Sequence, residues 1–442
     1  MKPSRYNIYM DANEYSFIYN TLTKSLLLVD DKVRHHLERN QLERINTSMD
    51  ALKKGGIIVD NNVDELLVFR MNHKSAQYAT HLSSFLIFTT YACNLKCPYC
   101  YEGPADAEYR SQFMSPDTTS RVIKFICTQT AQNRSQAVGI ALYGGEPLLN
   151  MDCCETVLKN VSEWCAINRI AFSASIMSNG TLFNEGVYTR IGDYLSFVHI
   201  TLDGSQKFHD KKRVRKDGSP TYLQIMQNLK QFINTKAHLS IRINVDEENK
   251  TSVSECLNDL EEIGLKRRPH LHIYFSEVIP QQSCITFSLE PETSNYTKSL
   301  TQDLLRIRDM AVRLGWGNHL TVDPDKDQPM SAGLSCGYVR HGTYSIDPEG
   351  NIYICPALTG NDVYRTGKIQ NGSVEWFPLY YTVHTWDPSL VTPCDACELL
   401  PLCKGGCPVA SLQGQKTCNS SEQLYEQLKT FVESQYSEKS RK

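Results

Sequence analysis

A chain of 442 residues is long enough for two to three domains, each with a core of its own. Lys+Arg 46 against Asp+Glu 49 leaves a net charge of -3, so no field is available to draw in nucleic acid, and no nucleic-acid partner is expected. The amino terminus, MKPSRYNIYMDANEYSF, lacks the apolar core of a signal peptide, and no run of about 18 apolar residues occurs, so the protein is expected to be cytoplasmic and without a membrane partner.

Residues 1–82 open the chain with YSFIYNTLTKSLLLVD, two apolar runs around a polar NTLTK turn, which predicts a hairpin. A polar helical stretch over residues 31–54 follows, and GGIIVDNNVDELLVFR predicts a second hairpin around Asn61 and Asn62. Two hairpins with intervening helices make a small winged-helix-like domain the expected fold of this segment.

Residues 83–324 change to a strand and helix alternation. FLIFTTY, VGIALYGG, ASIMSNG, FVHITLDG, LSIRINVD and HLHIYFSEV are short apolar runs, and segments such as 116–132, 152–167 and 221–234 between them are long enough for helices. Near-continuous apolar strands alternating with helices predict a parallel sheet covered by helices. Six such units predict an α/β fold, a partial (β/α)6 barrel with its site at the carboxyl edge of the strands. Residues 325–442 begin with the linker DPDKDQP and are rich in Gly, Pro and Cys with poor periodicity, so metal is expected to help hold them together.

Sixteen cysteines in a chain without an export signal predict metal ligands rather than disulfides. Cys127, Cys153, Cys154, Cys165, Cys256 and Cys284 lie apart in apolar or helical surroundings and read as small buried hydrophobes. Cys93, Cys97 and Cys100 instead stand as CxxxCxxC directly after the first barrel strand. Three thiolates hold three corners of a four-iron cluster and leave the fourth iron open for an exogenous ligand. This motif, with Tyr99 before its last cysteine, resembles the radical S-adenosylmethionine (SAM) superfamily, in which the open iron binds the amino and carboxylate groups of SAM.

The resemblance implies further site residues. YGGEP, with Gly144, Gly145 and Glu146, is similar to the family's motif for the SAM amino group, and glycines permit close backbone approach. SNGTLF, with Ser178 and Asn179, and LDGSQKFHDKKR, ending in Arg213, are similar to stretches that help hold the ribose and carboxylate. A guanidinium suits a carboxylate, so Ser178 and Arg213 take the carboxylate role, with Arg215 as the competitor.

The carboxyl-terminal cysteines resemble the seven-cysteine SPASM pattern of radical SAM enzymes that modify ribosomally made peptides or proteins. The pattern is Cys336-x13-Gly350-x4-Cys355, then Cys394-x2-Cys397-x5-Cys403-x3-Cys407, then Cys418. The resemblance implies three [4Fe-4S] clusters: one at the first motif, a distal one on Cys394, Cys397, Cys403 and Cys418, and a proximal one on Cys336, Cys355 and Cys407. A pair of zinc sites is the alternative that CxxC pairs leave open. No cysteine lies between Cys284 and Cys336, so the proximal cluster has an open iron unless Cys284 returns to it.

Sulfatase-maturing relatives place an Asp base directly after the cysteine equivalent to Cys355. Here that residue is Pro356, which disfavours sulfatase maturation unless Asp347 or Glu349 deputises. The resemblance therefore implies a radical SAM oxidoreductase acting on a ribosomally synthesised precursor peptide, whose leader the amino-terminal domain captures as an added strand. An electron from a reduced flavodoxin or ferredoxin cleaves SAM, the 5'-deoxyadenosyl radical removes a hydrogen from the peptide, and a Cys thioether is the expected product. A carbon-carbon cross-link, or an iron-sulfur electron-transfer or peptide-binding protein without radical chemistry, are the alternatives.

Overall fold

The computed structural model describes residues 1–12, 15–45, 49–100, 102, 111–278, 292–320, 334–371, 373–412, 414, 424–426, 428–429 and 432. Cys284 and Cys418 lie outside the described residues, as does the expected linker DPDKDQP. The chain divides into two compact units, one of Met1–Ala79, Lys326–Arg340 and Val383–Lys442, the other of Thr80–Asp325 and His341–Thr382.

In the first unit, β1 (Lys2–Pro3) precedes three antiparallel strands, β2 (Asn7–Ala12), β3 (Tyr15–Asn20) and β4 (Leu26–Asp30), in the order β2-β3-β4. The β3–β4 hairpin is the one the alternation of apolar residues predicts, with Phe17 opposite Leu28. Helices α1 (Asp31–Glu38) and α2 (Met49–Lys54) follow, and β5 (Ile58–Val59) pairs with β1.

The second expected hairpin is instead a strand followed by helix α3 (Glu65–Gln77). Asp64 caps it by accepting from the N–H groups of Leu66 and Leu67, and Phe69, His73 and Gln77 are buried at four-residue spacing. A short apolar run does not distinguish these outcomes, whereas the cap does. Ile8, Met10, Phe17 and Tyr19 pack with Leu399, Leu402, Leu428 and Val432, and Tyr6 and Phe69 with Leu400. The amino-terminal sheet thus gives the cysteine-rich segment an apolar core that its own sequence lacks. Arg70 Nε meets Asp387 Oδ2 at 2.8 Å in the same unit.

The second unit is built on a ten-stranded sheet. Its parallel part comprises β6 (Leu82–Thr90), β7 (Ala137–Gly144), β8 (Ala171–Ser178), β9 (Phe197–Leu202), β10 (His238–Val245) and β11 (Leu271–Glu277), each pairing with its predecessor. Helices α4 (Pro116–Gln132), α5 (Met151–Ile167), α6 (Glu185–Ile191), α7 (Gln206–Lys212), α8 (Tyr222–Leu229), α9 (Val253–Glu262) and α10 (Glu292–Arg313) lie between and after these strands. This is a mixed α/β fold around a large parallel sheet.

Continuous apolar runs predict strands buried on both faces, but β7 and β8 alternate. Val138, Ile140 and Leu142 face a core shared with Val122, Phe125 and Ile126 of α4 and Val157, Leu158 and Val161 of α5, and the opposite sheet face is only partly buried. Cys153, Cys154, Cys165 and Cys256 sit inside this core, as small hydrophobes do.

Four strands then extend the sheet beyond β6: β12 (Thr343–Ile346) parallel to it, and β13 (Asn351–Tyr353), β14 (Arg365–Gln370) and β15 (Ser373–Trp376) as an antiparallel meander. Tyr344 of β12 stacks on Phe85 of β6 at 5.3 Å, edge-on to Phe125, which anchors this extension.

Candidate functional site

The carboxyl ends of β6 to β10 carry the site. β6 ends at Thr90, and the chain turns at once into the loop holding Cys93, Cys97 and Cys100, all three half-buried. Among the described residues no three His, Cys, Asp or Glu side chains converge on one point as ligands of a single ion do. A four-iron cluster asks for something different, since each thiolate binds its own iron. Burial pushes the Cys93 thiol up to about 12 and raises Cys97 as well. Coordinated iron is what would stabilise the thiolates here.

The end of β7 is clamped to this loop by backbone alone. Gly145 N–H donates to Thr90 O at 3.1 Å and Glu146 N–H to Ala92 O at 2.8 Å. A Cβ on Gly144, at φ 135°, would lie 2.1 Å from Thr90 O, and one on Gly145 would lie 2.4 Å from Ala92 O. The glycine pair is therefore required by the cysteine loop crossing directly over it.

Glu146 turns inward and is completely buried. Its carboxylate accepts from Asn179 N–H at 2.7 Å, Leu148 N–H at 3.2 Å and Ser178 Oγ at 3.0 and 3.1 Å. Burial pushes its pKa up to about 7 against these donors. The resemblance predicts a cofactor contact for Glu146; in the structure its side chain braces the end of β8. Asn179 passes the connection on, donating to Asn94 Oδ1 at 2.8 Å and standing 3.8 Å from Cys93 Sγ, while Asn94 donates to Thr181 Oγ1 at 2.8 Å.

Tyr99 and Arg213 meet on the other side of the cysteine loop. Arg213 Nη1 donates to Tyr99 Oη at 3.1 Å, and Tyr99 donates to Asp203 Oδ2 at the end of β9. Asn244 Nδ2, at the end of β10, reaches Asp203 Oδ1 at 3.0 Å and Tyr99 Oη at 3.3 Å. Arg213 is buried, and among the described residues its Nε has no hydrogen-bond partner. A buried guanidinium N–H left open is a place for an anionic group, and the carboxylate of SAM has that chemistry. Arg215 is directed elsewhere, donating to Pro220 O. The segment after Arg213 is tied to the cysteine loop by Lys96 N–H to Val214 O at 3.0 Å and Lys216 N–H to Asn94 O at 3.2 Å.

Asp203, Asn244 and Asn94 were not singled out from the sequence. The usable signal was their position, polar residues at or just past the carboxyl ends of barrel strands.

Of the remaining cysteines, Cys355 belongs to the unit built on the large sheet, and Cys336, Cys394, Cys397, Cys403 and Cys407 belong to the other. Cys394 and Cys397 are joined by a turn, Cys397 N–H to Cys394 O at 3.1 Å, and both pack against the core of Tyr6, Phe69 and Leu400. After Cys403 the backbone runs left-handed through Lys404, Gly405 and Gly406, with φ of 53°, 83° and 68°. Lys404 is buried beside Cys403, an arrangement that offers positive charge to a thiolate-bound cluster.

Comparison with known proteins agrees with this geometry. Residues 87–260 match the model of the radical SAM superfamily. That segment is a radical SAM domain, and SAM with a four-iron cluster is the cofactor set of that superfamily. A cysteine-type anaerobic sulfatase-maturating enzyme of Clostridium novyi (strain NT) is 25% identical over 332 residues, 71% of this chain and 84% of the relative. A serine-type anaerobic sulfatase-maturating enzyme of Klebsiella aerogenes is 20% identical over 330 residues, 72% of this chain and 77% of the relative. Among solved structures, anSMEcpe with bound AdoMet superposes with a TM-score of 0.59 at 19% identity, over 79% of this chain and 98% of that one. Streptococcus suis SuiB bound to precursor peptide SuiA gives 0.51 at 15% identity, over 94% of this chain and 97% of that one. Among the described residues no helix is long and apolar enough to cross a membrane.

Proposed function

We propose that this chain is a SPASM-type peptide maturase that installs a thioether cross-link to a cysteine of a ribosomally made precursor. The observation that carries the radical part is the gathering of the β7, β8, β9 and β10 ends around the Cys93–Cys100 loop, with the open Nε of Arg213 among them. Cys93, Cys97 and Cys100 would hold the first cluster; Tyr99, Gly144, Gly145, Ser178, Asn179 and Arg213 would hold SAM, with Glu146 positioning Ser178 and Asn179. When bound, reduced cluster and SAM supply a carbon radical able to take hydrogen from an unactivated position. The chain's part is to seat the peptide on the partly open face of the sheet and to keep water from the reacting carbon.

Two further clusters, on Cys394, Cys397, Cys403 and Cys418 and on Cys336, Cys355 and Cys407, belong to the same reading, as do a cytoplasmic setting and reduction by a flavodoxin or ferredoxin. A peptide rather than a sulfatase substrate is favoured by Pro356 and by the state of Asp347. That carboxylate accepts from Glu349 N–H, Asn351 N–H, Asn351 Nδ2 and Tyr353 Oη at 2.7–3.1 Å, so it braces the β12–β13 turn rather than standing ready as a base. The likeness to SuiB, whose structure holds a precursor peptide, supports a leader-binding role for the amino-terminal segment because that likeness spans nearly the whole chain.

The test is co-expression with short Cys-containing reading frames encoded beside the gene. A product lighter by a pair of hydrogens, with a cysteine that no longer reacts with alkylating reagents, is expected. The same mass loss with the cysteine still reactive would assign a carbon-carbon cross-link, and an unchanged peptide would contradict both.

A further inference from the structure

A second guanidinium lies beside the cofactor site, on the face of the sheet away from the helices. Leu239, Ile241 and Ile243 of β10 belong to the helix-covered core, as do Val198 and Ile200 of β9 and Leu271 and Ile273 of β11. Alternate residues of a strand share a face, so Arg242 and Asn244 of β10 project to the opposite side, next to Thr201 of β9 and to Tyr274 and Ser276 of β11. This is the partly open face on which the peptide is proposed to sit.

Arg242 is half-buried there, and its partners are neutral. Its Nε donates to Asn244 Oδ1 at 2.8 Å and its Nη2 to Ser276 Oγ at 2.9 Å. Among the described residues no carboxylate pairs with it. Cations in the segments after β9 and β10 are treated differently: Lys212 is paired with Asp246 and, at 3.5 Å, with Glu248, and Lys250 with Glu247 and Asp303 at 2.7 Å each. Arg213 has Asp203 as a counter-charge through Tyr99, and its open Nε is the place assigned to the SAM carboxylate. Arg242 therefore keeps an uncompensated charge at a half-buried position, which a bound anion would compensate.

Asn244 ties this charge to the cofactor site. The side chain that accepts from Arg242 also donates to Asp203 Oδ1 at 3.0 Å and to Tyr99 Oη at 3.3 Å. A carboxylate held by Arg242 is thus one strand step, about 7 Å, from the side chains that surround the cofactor. A guanidinium already fixed by two hydrogen bonds loses little freedom when it takes a carboxylate.

We infer that Arg242 is a specificity-determining residue whose guanidinium receives an Asp or Glu side chain of the precursor peptide and so sets which neighbouring carbon faces the radical. The inference rests on the reading of the chain as a peptide maturase.

The experiment compares iron-replete wild type and Arg242→Gln on the Cys-containing precursor that the wild type modifies, and on forms of that precursor with each Asp and Glu replaced by Asn or Gln. KM for the unaltered precursor should rise about tenfold or more in Arg242→Gln, as expected for loss of one charge-assisted pair. One acid replacement should raise the wild-type KM by a similar factor and add little in the variant, so that the two effects do not sum. SAM affinity, measured by equilibrium binding, should be the same in both enzymes. Weaker SAM affinity with an unchanged KM for the peptide would assign this guanidinium to the SAM carboxylate and overturn the inference, as would summing effects. Should Arg242→Gln lose iron, Arg242→Lys decides instead, because it keeps the charge but not the fork: a smaller effect of the acid replacement supports the pairing, and an undiminished one contradicts it. A modified precursor whose KM is indifferent to Arg242 and to every acid overturns this inference alone, whereas a wild type that modifies no precursor overturns the maturase reading and the inference with it.

Discussion

The carboxylate of Glu146 accepts from the backbone N–H of Asn179 at 2.7 Å, and this contact joins the end of β7 to the end of β8 beneath the cysteine loop. Burial is complete, and the acid's pKa is pushed up to about 7 from 4.5. Because the folded value lies above the unfolded one, its contribution to stability is full below the unfolded value and is lost as pH rises to about 7. Between roughly pH 5.5 and 7 the loss should reach about 2 kcal/mol. Thermal unfolding of wild type and Glu146→Gln across that range checks this: the wild type should show the extra slope and the variant should not.

Gly145→Ala tests the clamp. Its new methyl would meet Ala92 O and Tyr91 O at 2.4 and 2.6 Å, both backbone atoms that cannot move without the cysteine loop. Iron at the first cluster should fall by more than half and SAM cleavage at least tenfold. Gly139→Ala, six residues earlier near the start of β7 with only Ser84 Oγ at 3.7 Å, should leave iron content unchanged. Equal behaviour of the two variants would remove the steric account.

Tyr99→Phe keeps the ring but removes the hydroxyl that Arg213 donates to and that donates to Asp203. Leaving buried partners unsatisfied costs about 1–3 kcal/mol. SAM affinity, measured by equilibrium binding to the reconstituted protein, should drop about tenfold, and Arg213→Lys should lower it further because the planar fork is lost. Arg215→Lys should have little effect, since that side chain reaches Pro220 O instead.

Deleting residues 1–82 would be a poor test of leader capture. Phe17 and Tyr19 pack with Leu399 and Leu402, and Tyr6 and Phe69 with Leu400, so the deletion would strip the cysteine-rich segment of its packing. Leu28 on edge strand β4 is 44% exposed and offers a cleaner probe. Leu28→Lys should change stability by less than about 0.5 kcal/mol. Precursor binding, read by fluorescence anisotropy of labelled leader, should weaken about tenfold while SAM cleavage without peptide stays the same. Unchanged binding would move the leader away from this edge.

The parallel strands were legible because Ile, Val and Phe runs such as FLIFTTY have few other uses, and the CxxxCxxC motif fell at a strand end for the same reason. What stayed hidden depended on distant pairing. Strand β12, TYSI, is four residues long and gains its place only by pairing with Ser84 to Ile87. Asp203 and Asn244 are ordinary polar residues until β9 and β10 stand side by side. The brace role of Glu146 was equally invisible, because a carboxylate in a Gly-rich motif reads the same whether it faces a ligand or the next strand.

The central claim is that this chain uses a SAM-derived radical to take hydrogen from a peptide. The direct measurement is mass spectrometry of 5'-deoxyadenosine formed by the reduced, reconstituted enzyme with a deuterated precursor. Deuterium in the 5'-deoxyadenosine, dependent on Cys93, Cys97 and Cys100, is the predicted result. Formation of no 5'-deoxyadenosine by the iron-replete enzyme, or modification of the peptide without any transfer of deuterium, would contradict it.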